Sequence, residues 1–247
     1  MNSSSSQNNH NAERACIVVP CYNESENLPK IIEKISSMKS EGELSDFDFV
    51  FVNDGSKDMS LKIINNASYN CEWVKVQNHE VNRGFAAGLN TGRKYALENS
   101  YGYLGQIDCD LTHPLELLKE MRDSLSEYDM VIASRYVGTG GMKNVPLWRV
   151  ILSKTSQFGF RIFFRTKTRD STSGFRLCRR KIFEDIVLQD NTFAIQLELT
   201  IKAEKTGFKI YEIPFVLENR QFGSSKFNLK QFIEYGKSVF KLLFVYK

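Results

Sequence analysis

The sequence predicts an α/β fold: a mostly parallel sheet with helices on both faces, followed by amphipathic C-terminal helices. Three observations predict it. Short apolar, β-branched runs alternate with amphipathic stretches of helical period between residue 15 and about residue 133. The runs are apolar throughout rather than on alternate residues, as strands covered on both faces must be. The chain has 247 residues, 42% hydrophobic and 25% charged, enough to bury a sizeable core in one large domain.

Each element follows from local signals. Residues 1–12 (MNSSSSQNNHNA) carry nothing to bury and are expected as a disordered tail. A first strand spans 15–19 and ends at Pro20. Ser25 or Asn27 is placed to cap a helix over 28–38, with apolar residues at 28, 31, 32 and 35. A second strand spans 47–52, and Asp58 is placed to cap a helix from 59 to about 67. A third strand spans 73–77, and Asn82 precedes a helix running to about 98. A fourth strand at 101–107, a helix at 114–126 and a fifth strand at 129–133 complete the alternation. Beyond residue 140 a basic, Phe-rich helical stretch covers 147–165. A helix at about 192–206, a strand at 209–217 and an amphipathic helix from about 228 follow. The expected organisation is a tail over 1–12, one domain over 13–227 and a terminal amphipathic helix over 228–247.

Composition narrows the function. Five cysteines (16, 21, 71, 109 and 178), with no CxxC pair and no signal peptide, read as reduced thiols in a cytosolic protein. Three histidines without HExxH spacing argue against zinc, and no apolar run approaches the ~20 residues of a spanning helix. The net charge of +4 is unevenly spread. Residues 143–181 hold eleven Lys/Arg and one acid, Asp170; residues 226–247 hold five Lys and one Glu. Such a segregated positive field suits an anionic partner: nucleic acid, phosphate or an anionic membrane face.

The candidate chemistry lies where strands end, because ligands of open parallel sheets sit at the carboxyl edge. The first, second and fourth strands end in Val19-Pro20-Cys21-Tyr22-Asn23-Glu24, Val52-Asn53-Asp54-Gly55-Ser56 and Ile107-Asp108-Cys109-Asp110. Each taken singly is also what a turn or cap looks like. Three acidic clusters at one edge repel unless a cation or hydrogen-bond donors share the site. If the strand persists through 108–110, Asp108 and Asp110 project to one side, as hard oxygen donors suited to Mg²⁺ or Mn²⁺. Glycines four apart in 82–92 give a helix a side-chain-free ridge, for close packing or phosphate cradling; the spacing is neither a P-loop nor a dinucleotide fingerprint.

The ordered set VPCYNE (19–24), VNDGSKD (52–58), NRGFAAGLNTG (82–92), DCDLTHP (108–114), SRY (134–136), DSTSGFR (170–176) and NRQFGSSKF (219–227) resembles the family 2 glycosyltransferases of GT-A fold, most closely the dolichol-phosphate mannosyltransferase group. The likeness covers about residues 14–230. It implies a metal-dependent transferase that uses a nucleotide-sugar such as GDP-mannose or a UDP-sugar. Pro20, Tyr22, Glu24 and Asp54 would contact base and ribose, and Asp108 and Asp110 would hold the metal and diphosphate. Arg135, Arg149, Ser153, Arg220 and Lys226 would surround an acceptor phosphate. Three positions depart from the family pattern: Cys21 for Thr, Asn53 for Asp, and Thr112 where many members have Gln.

Acceptor chemistry divides the readings. A sugar hydroxyl needs a general base, whereas a phosphate is already an anion and needs cations to orient it. Where relatives with hydroxyl acceptors carry an acidic pair, this chain has Phe193-Ala194-Ile195-Gln196-Leu197-Glu198, with a single Glu. The resemblance favours inverting transfer to a polyprenyl (dolichyl) phosphate at the cytosolic membrane face. A saccharide hydroxyl acceptor in cell-surface polysaccharide synthesis is one alternative, and a basic nucleic-acid-binding module is another. The apolar residues Trp148, Ile151, Leu152, Phe158, Phe160, Ile162, Phe163 and Phe164, interleaved with Arg149, Lys154, Arg161 and Arg165, fit an interfacial helix. The resulting expectation is a cytoplasmic enzyme held peripherally on a membrane surface, with or without a membrane partner subunit, and without nucleic acid.

Overall fold

The computed structural model describes residues 11–218 and 229–246. Seven strands form one sheet: β1 (Ala15–Cys21), β2 (Phe47–Asp54), β3 (Val74–His79), β4 (Tyr103–Gln106), β5 (Met130–Ser134), β7 (Arg176–Arg179) and β8 (Ile210–Pro214). The order across the sheet is β3-β2-β1-β4-β7-β5-β8. Every neighbouring pair is parallel except the two that involve β7, which runs antiparallel to both β4 and β5. A separate two-stranded ribbon pairs β6 (Gly141–Met142) with β9 (Val216–Leu217).

The central strands are buried on both faces, as their unbroken apolar runs require. Phe47, Phe49 and Phe51 of β2 point to one side and join a core with Ile17, Val19, Ile31, Ile35 and Leu118, while Val50 and Val52 point to the other, with Val18 and Leu89. Each such side chain contributes about 1.5–3 kcal/mol on leaving water. Helices α1 (Leu28–Ser40), α2 (Ser60–Asn70) and α4 (Leu117–Ser124) cover the first face. On the second face lie α3 (Phe85–Glu98) and α7 (Ile195–Lys205). A Cβ added to Gly92 of α3 would stand 2.3 Å from Val18 Cγ1, so glycine is what lets this helix lie against β1. Close packing is therefore the use of that end of the glycine ridge.

Several sequence expectations need correction. Strand β7 was not anticipated. The strand expected at 209–217 is interrupted at Phe215, which separates β8 from β9. Asn27 does not cap α1; its side-chain amide donates instead to Glu24 Oε2 at 2.7 Å. Asp58 does serve the start of α2, accepting the Ser60 N–H at 3.0 Å. Most consequential, β4 stops at Gln106, so Asp108-Cys109-Asp110 forms a turn and strand alternation does not order its side chains.

The short helix α6 (Arg180–Asp185) follows β7 directly. Helix α5 (Leu147–Phe164) ends at Arg165, which adopts the left-handed conformation (φ 54°). It packs through Phe160 and Phe164 against α7 and against Leu242 of α8 (Leu229–Tyr246). Only that part of the Phe-rich stripe is core. Trp148, Ile151, Leu152, Phe158, Ile162 and Phe163 are exposed, as are Ile233, Phe240 and Phe244 of α8. No helix among the described residues is long and apolar enough to cross a membrane.

Candidate active site

The carboxyl ends of β1, β2 and β4 open into a cavity of about 750 Å³. It gathers Pro20, Tyr22, Glu24, Asp54, Asp108, Asp110, Arg135 and Ser153, residues drawn from five segments of the sequence. Phe85, Thr172, Gly174, Phe193 and Gln196 complete much of the wall. Arg149 is not part of it: this side chain is exposed on α5, its guanidinium 5.2 Å from the Trp148 ring centroid. Arg220 and Lys226 lie outside the described residues.

Asp54 is held more tightly than its place in the motif suggests. Its Oδ1 accepts the Arg83 N–H at 2.8 Å and its Oδ2 the Gly84 N–H at 2.8 Å. His79 Nδ1 lies 2.7 Å from the same Oδ1, and His79 Nε2 lies 2.8 Å from Thr91 Oγ1. A carboxylate can only accept, so Nδ1 carries a proton toward Asp54. Asp54 thus fixes the turn entering α3, and its neighbour Gly84 (φ 94°) needs the freedom of glycine there. His79 had no sequence signal, since the register between β2 and β3 is what sets it opposite Asp54.

The Asp108–Asp110 turn is arranged by its own neighbours. Asp110 Oδ1 accepts both the Thr112 hydroxyl (2.6 Å) and the Thr112 N–H (3.2 Å). Thr112 therefore serves the carboxylate. The Asp108 N–H donates to His113 Nδ1 at 3.0 Å, and that ring stacks on Phe175 at 4.9 Å between centroids. The neighbouring Cys21 thiol, together with burial, pushes the Cys109 thiol well above its ordinary range.

The donor set fits a hard divalent cation. Asp108 and Asp110 offer carboxylate oxygens, and no cluster of three or more His, Cys, Asp or Glu that could hold a metal occurs among the described residues. Two carboxylates with the other positions left to substrate oxygens and water is the usual arrangement for Mg²⁺ beside a phosphate.

Strand β7 carries the loop of the opposite wall, which lines the cavity with Thr172 and Gly174. Because it runs antiparallel, its first residue, Arg176, pairs with Gln106, and the loop 170–175 lies beside the Asp108 turn. Arg135 enters this wall with its guanidinium fork already engaged: Nε donates to Asp170 Oδ2 at 2.8 Å and Nη2 to Oδ1 at 2.7 Å. Burial alone would lower the Arg135 guanidinium, but fully buried Asp170 more than offsets it, and the group is held above its ordinary value. Ser153 Oγ lies 2.5 Å from the Tyr136 hydroxyl. Glu198, two residues beyond Gln196, faces away from the cavity; its carboxylate accepts the Gln189 and Asp190 N–H groups at 2.9–3.1 Å and Lys202 Nζ at 2.6 Å.

The sequence profile of glycosyl transferase family 2 matches residues 16–187, well over half of the chain. The chain belongs to that family. This family 2 glycosyltransferase is 30% identical over 219 residues to the polyprenol monophosphomannose synthase of Mycolicibacterium smegmatis, covering 87% of this chain and 81% of that one. It is 28% identical over 233 residues to the dolichol-phosphate mannosyltransferase of Pyrococcus furiosus, covering 93% of this chain. It spans only 64% of the Pyrococcus protein's length. Among solved structures, a mannosyltransferase of Pyrobaculum calidifontis in complex with GDP-Man and Mn²⁺ aligns with a TM-score of 0.63 and 14% identity, over 92% of this chain and 64% of that one. The likeness is one of fold, and it is the GT-A fold that the motifs implied.

Proposed function

We propose that this glycosyltransferase moves a mannose or similar hexose, with inversion, from a nucleotide-sugar to a polyprenyl phosphate at a membrane face exposed to the cytosol. One observation carries the reading. Helix α5 places Ser153 in the cavity wall and turns Trp148, Ile151, Leu152, Phe158, Ile162 and Phe163 outward. A single helix that borders the reaction space and offers an apolar, Arg-flanked outer face suits an acceptor with a phosphate head and a lipid tail. The relatives named above, a polyprenol monophosphomannose synthase and a dolichol-phosphate mannosyltransferase, support the same substrate class.

In this reading an acceptor phosphate oxygen forms a bond to the anomeric carbon of the sugar. The bond from that carbon to the nucleoside diphosphate breaks, and the diphosphate leaves with the electron pair. No proton need be removed, which accords with Glu198 being committed to backbone amides and Lys202. Pro20, Tyr22, Glu24 and the turn fixed by Asp54 receive base and ribose. Asp108 and Asp110 hold the Mg²⁺ or Mn²⁺, which when bound offsets charge on the leaving diphosphate. Arg135, held by Asp170, and Ser153, with Arg220 and Lys226 by motif, orient the acceptor phosphate. Arg149, on the outer face, meets the lipid surface.

A panel of nucleotide-sugars assayed with and without polyprenyl phosphate tests this directly. Product should form only with the lipid phosphate; sugar appearing on a free oligosaccharide without it would establish a hydroxyl acceptor instead. Membrane attachment has its own test. Replacing Trp148, Phe158 and Ile162 by Ser should lower partition into anionic vesicles at least ~10²-fold, because each buried side chain is worth about 1.5–3 kcal/mol. Transfer to a short, detergent-dispersed polyprenyl phosphate should persist. Undiminished vesicle binding would remove α5 from the interface.

A further inference from the structure

We propose that Gln196 is a sugar-contacting residue that recognises the transferred hexose through both ends of its side-chain amide, an inference that rests on the transferase reading above. Gln196 is 3% exposed and lines the cavity, yet neither Oε1 nor Nε2 has a hydrogen-bond partner. Buried amides are almost always paired, so a pair of orphaned atoms in a residue that lines a ligand cavity marks a place where the ligand supplies the partners. The backbone beneath the side chain is firmly held. Arg176 donates to the Gln196 carbonyl at 3.1 Å and to Thr200 Oγ1 at 3.2 Å, and the Thr200 hydroxyl donates to the same carbonyl at 3.1 Å. The first turn of α7 is thereby pinned, and the side chain extends from a rigid base.

Two arguments select the sugar. The first is chemical: an amide has two N–H donors and a carbonyl acceptor, whereas phosphate oxygens only accept and would leave Oε1 unpaired. Hydroxyl groups both donate and accept, so adjacent hydroxyls of a hexose satisfy both ends together. The second is positional. The cluster assigned to base and ribose stands at the ends of β1 and β2, and the Asp108–Asp110 turn follows β4. Gln196 lies beyond that turn, tied through Arg176 to β7, the next strand. Base, diphosphate and sugar laid along the sheet edge in that order bring the hexose to Gln196.

Calorimetry with GDP and GDP-mannose in the presence of Mn²⁺, or UDP and UDP-glucose if the wild type selects uridine, separates the sugar from the rest of the donor. Gln196→Met keeps the volume and removes the hydrogen bonds. It should weaken nucleotide-sugar binding about tenfold and leave the nucleoside diphosphate within about twofold, as expected for a pair of neutral hydrogen bonds. Its melting temperature without ligand should be no lower than that of the wild type, since it buries fewer unpaired polar atoms. Gln196→Asn, which withdraws the amide by one methylene, should lose the same discrimination while keeping the cavity polar. Equal losses for both ligands, no loss for either, or a loss confined to the lipid phosphate would overturn the assignment; wild-type transfer in the same assays would leave the transferase reading intact. A wild type that binds no nucleotide-sugar of the panel would overturn both.

Discussion

Asp110→Asn should lower turnover about 10²-fold or more, a loss of roughly 3 kcal/mol in transition-state stabilisation. The substitution keeps the shape of the side chain and an oxygen able to accept from Thr112, so the turn should survive while the charge facing the diphosphate disappears. EDTA should abolish transfer by the wild type, and Mg²⁺ or Mn²⁺ should restore it. The control is nucleotide affinity without metal, which should change little. An Asp110→Asn enzyme fully active in EDTA would remove the metal assignment from this turn.

The second large effect is on stability. Asp170→Asn should destabilise the fold by about 3–5 kcal/mol, because it strips the counter-charge from a guanidinium that is mostly out of water. Asp170 is fully buried and receives Arg135 N–H, Nε and Nη2, while its own N–H donates to Glu212 Oε1 at 2.9 Å. Against a typical stability of about 5–15 kcal/mol this is a large fraction, read as a lowered urea midpoint at unchanged slope. The double variant Arg135→Leu with Asp170→Leu should recover much of the loss, since no uncompensated charge remains. A single Asp170→Asn variant as stable as the wild type would show that the loop 170–175 is held by other contacts.

Much of the fold was legible because period and punctuation decide it. The first five strands were all located by their apolar runs, and the three polar clusters at strand ends do converge on one cavity. What escaped depends on contacts between distant residues. β7 reads Arg-Leu-Cys-Arg, too short and too charged to mark a central strand, and Arg176 is buried there only because five acceptor contacts from Ser171, Ser173, Gln196 and Thr200 receive it. Asp170 counted as one acid among eleven basic residues, although its partner Arg135 lies before that segment. Gln196 is uncharged and stands at a helix start, and such a side chain gives no signal until its surroundings are known. The Phe-rich helix split between core and exposed face in a way its spacing could not decide, because α8 covers one side of it.

The central position of an antiparallel strand also bears on how the chain acquires its structure. β3, β2, β1 and β4 can pair as soon as residue 106 is available, in a unit dominated by short crossovers. β5 cannot join that unit directly. Its link to β4 is β7, so the pairing must wait until residue 179 has been synthesised. During that interval one edge of β4 and the apolar strand Met130–Ser134 lack their final neighbours, and such edges invite wrong pairing. The wall carrying Asp170, Arg176 and Gln196 can be complete only once α7 has also been made. Substrate binding should therefore appear during synthesis only after α7 has emerged, later than the pairing of β1 to β4.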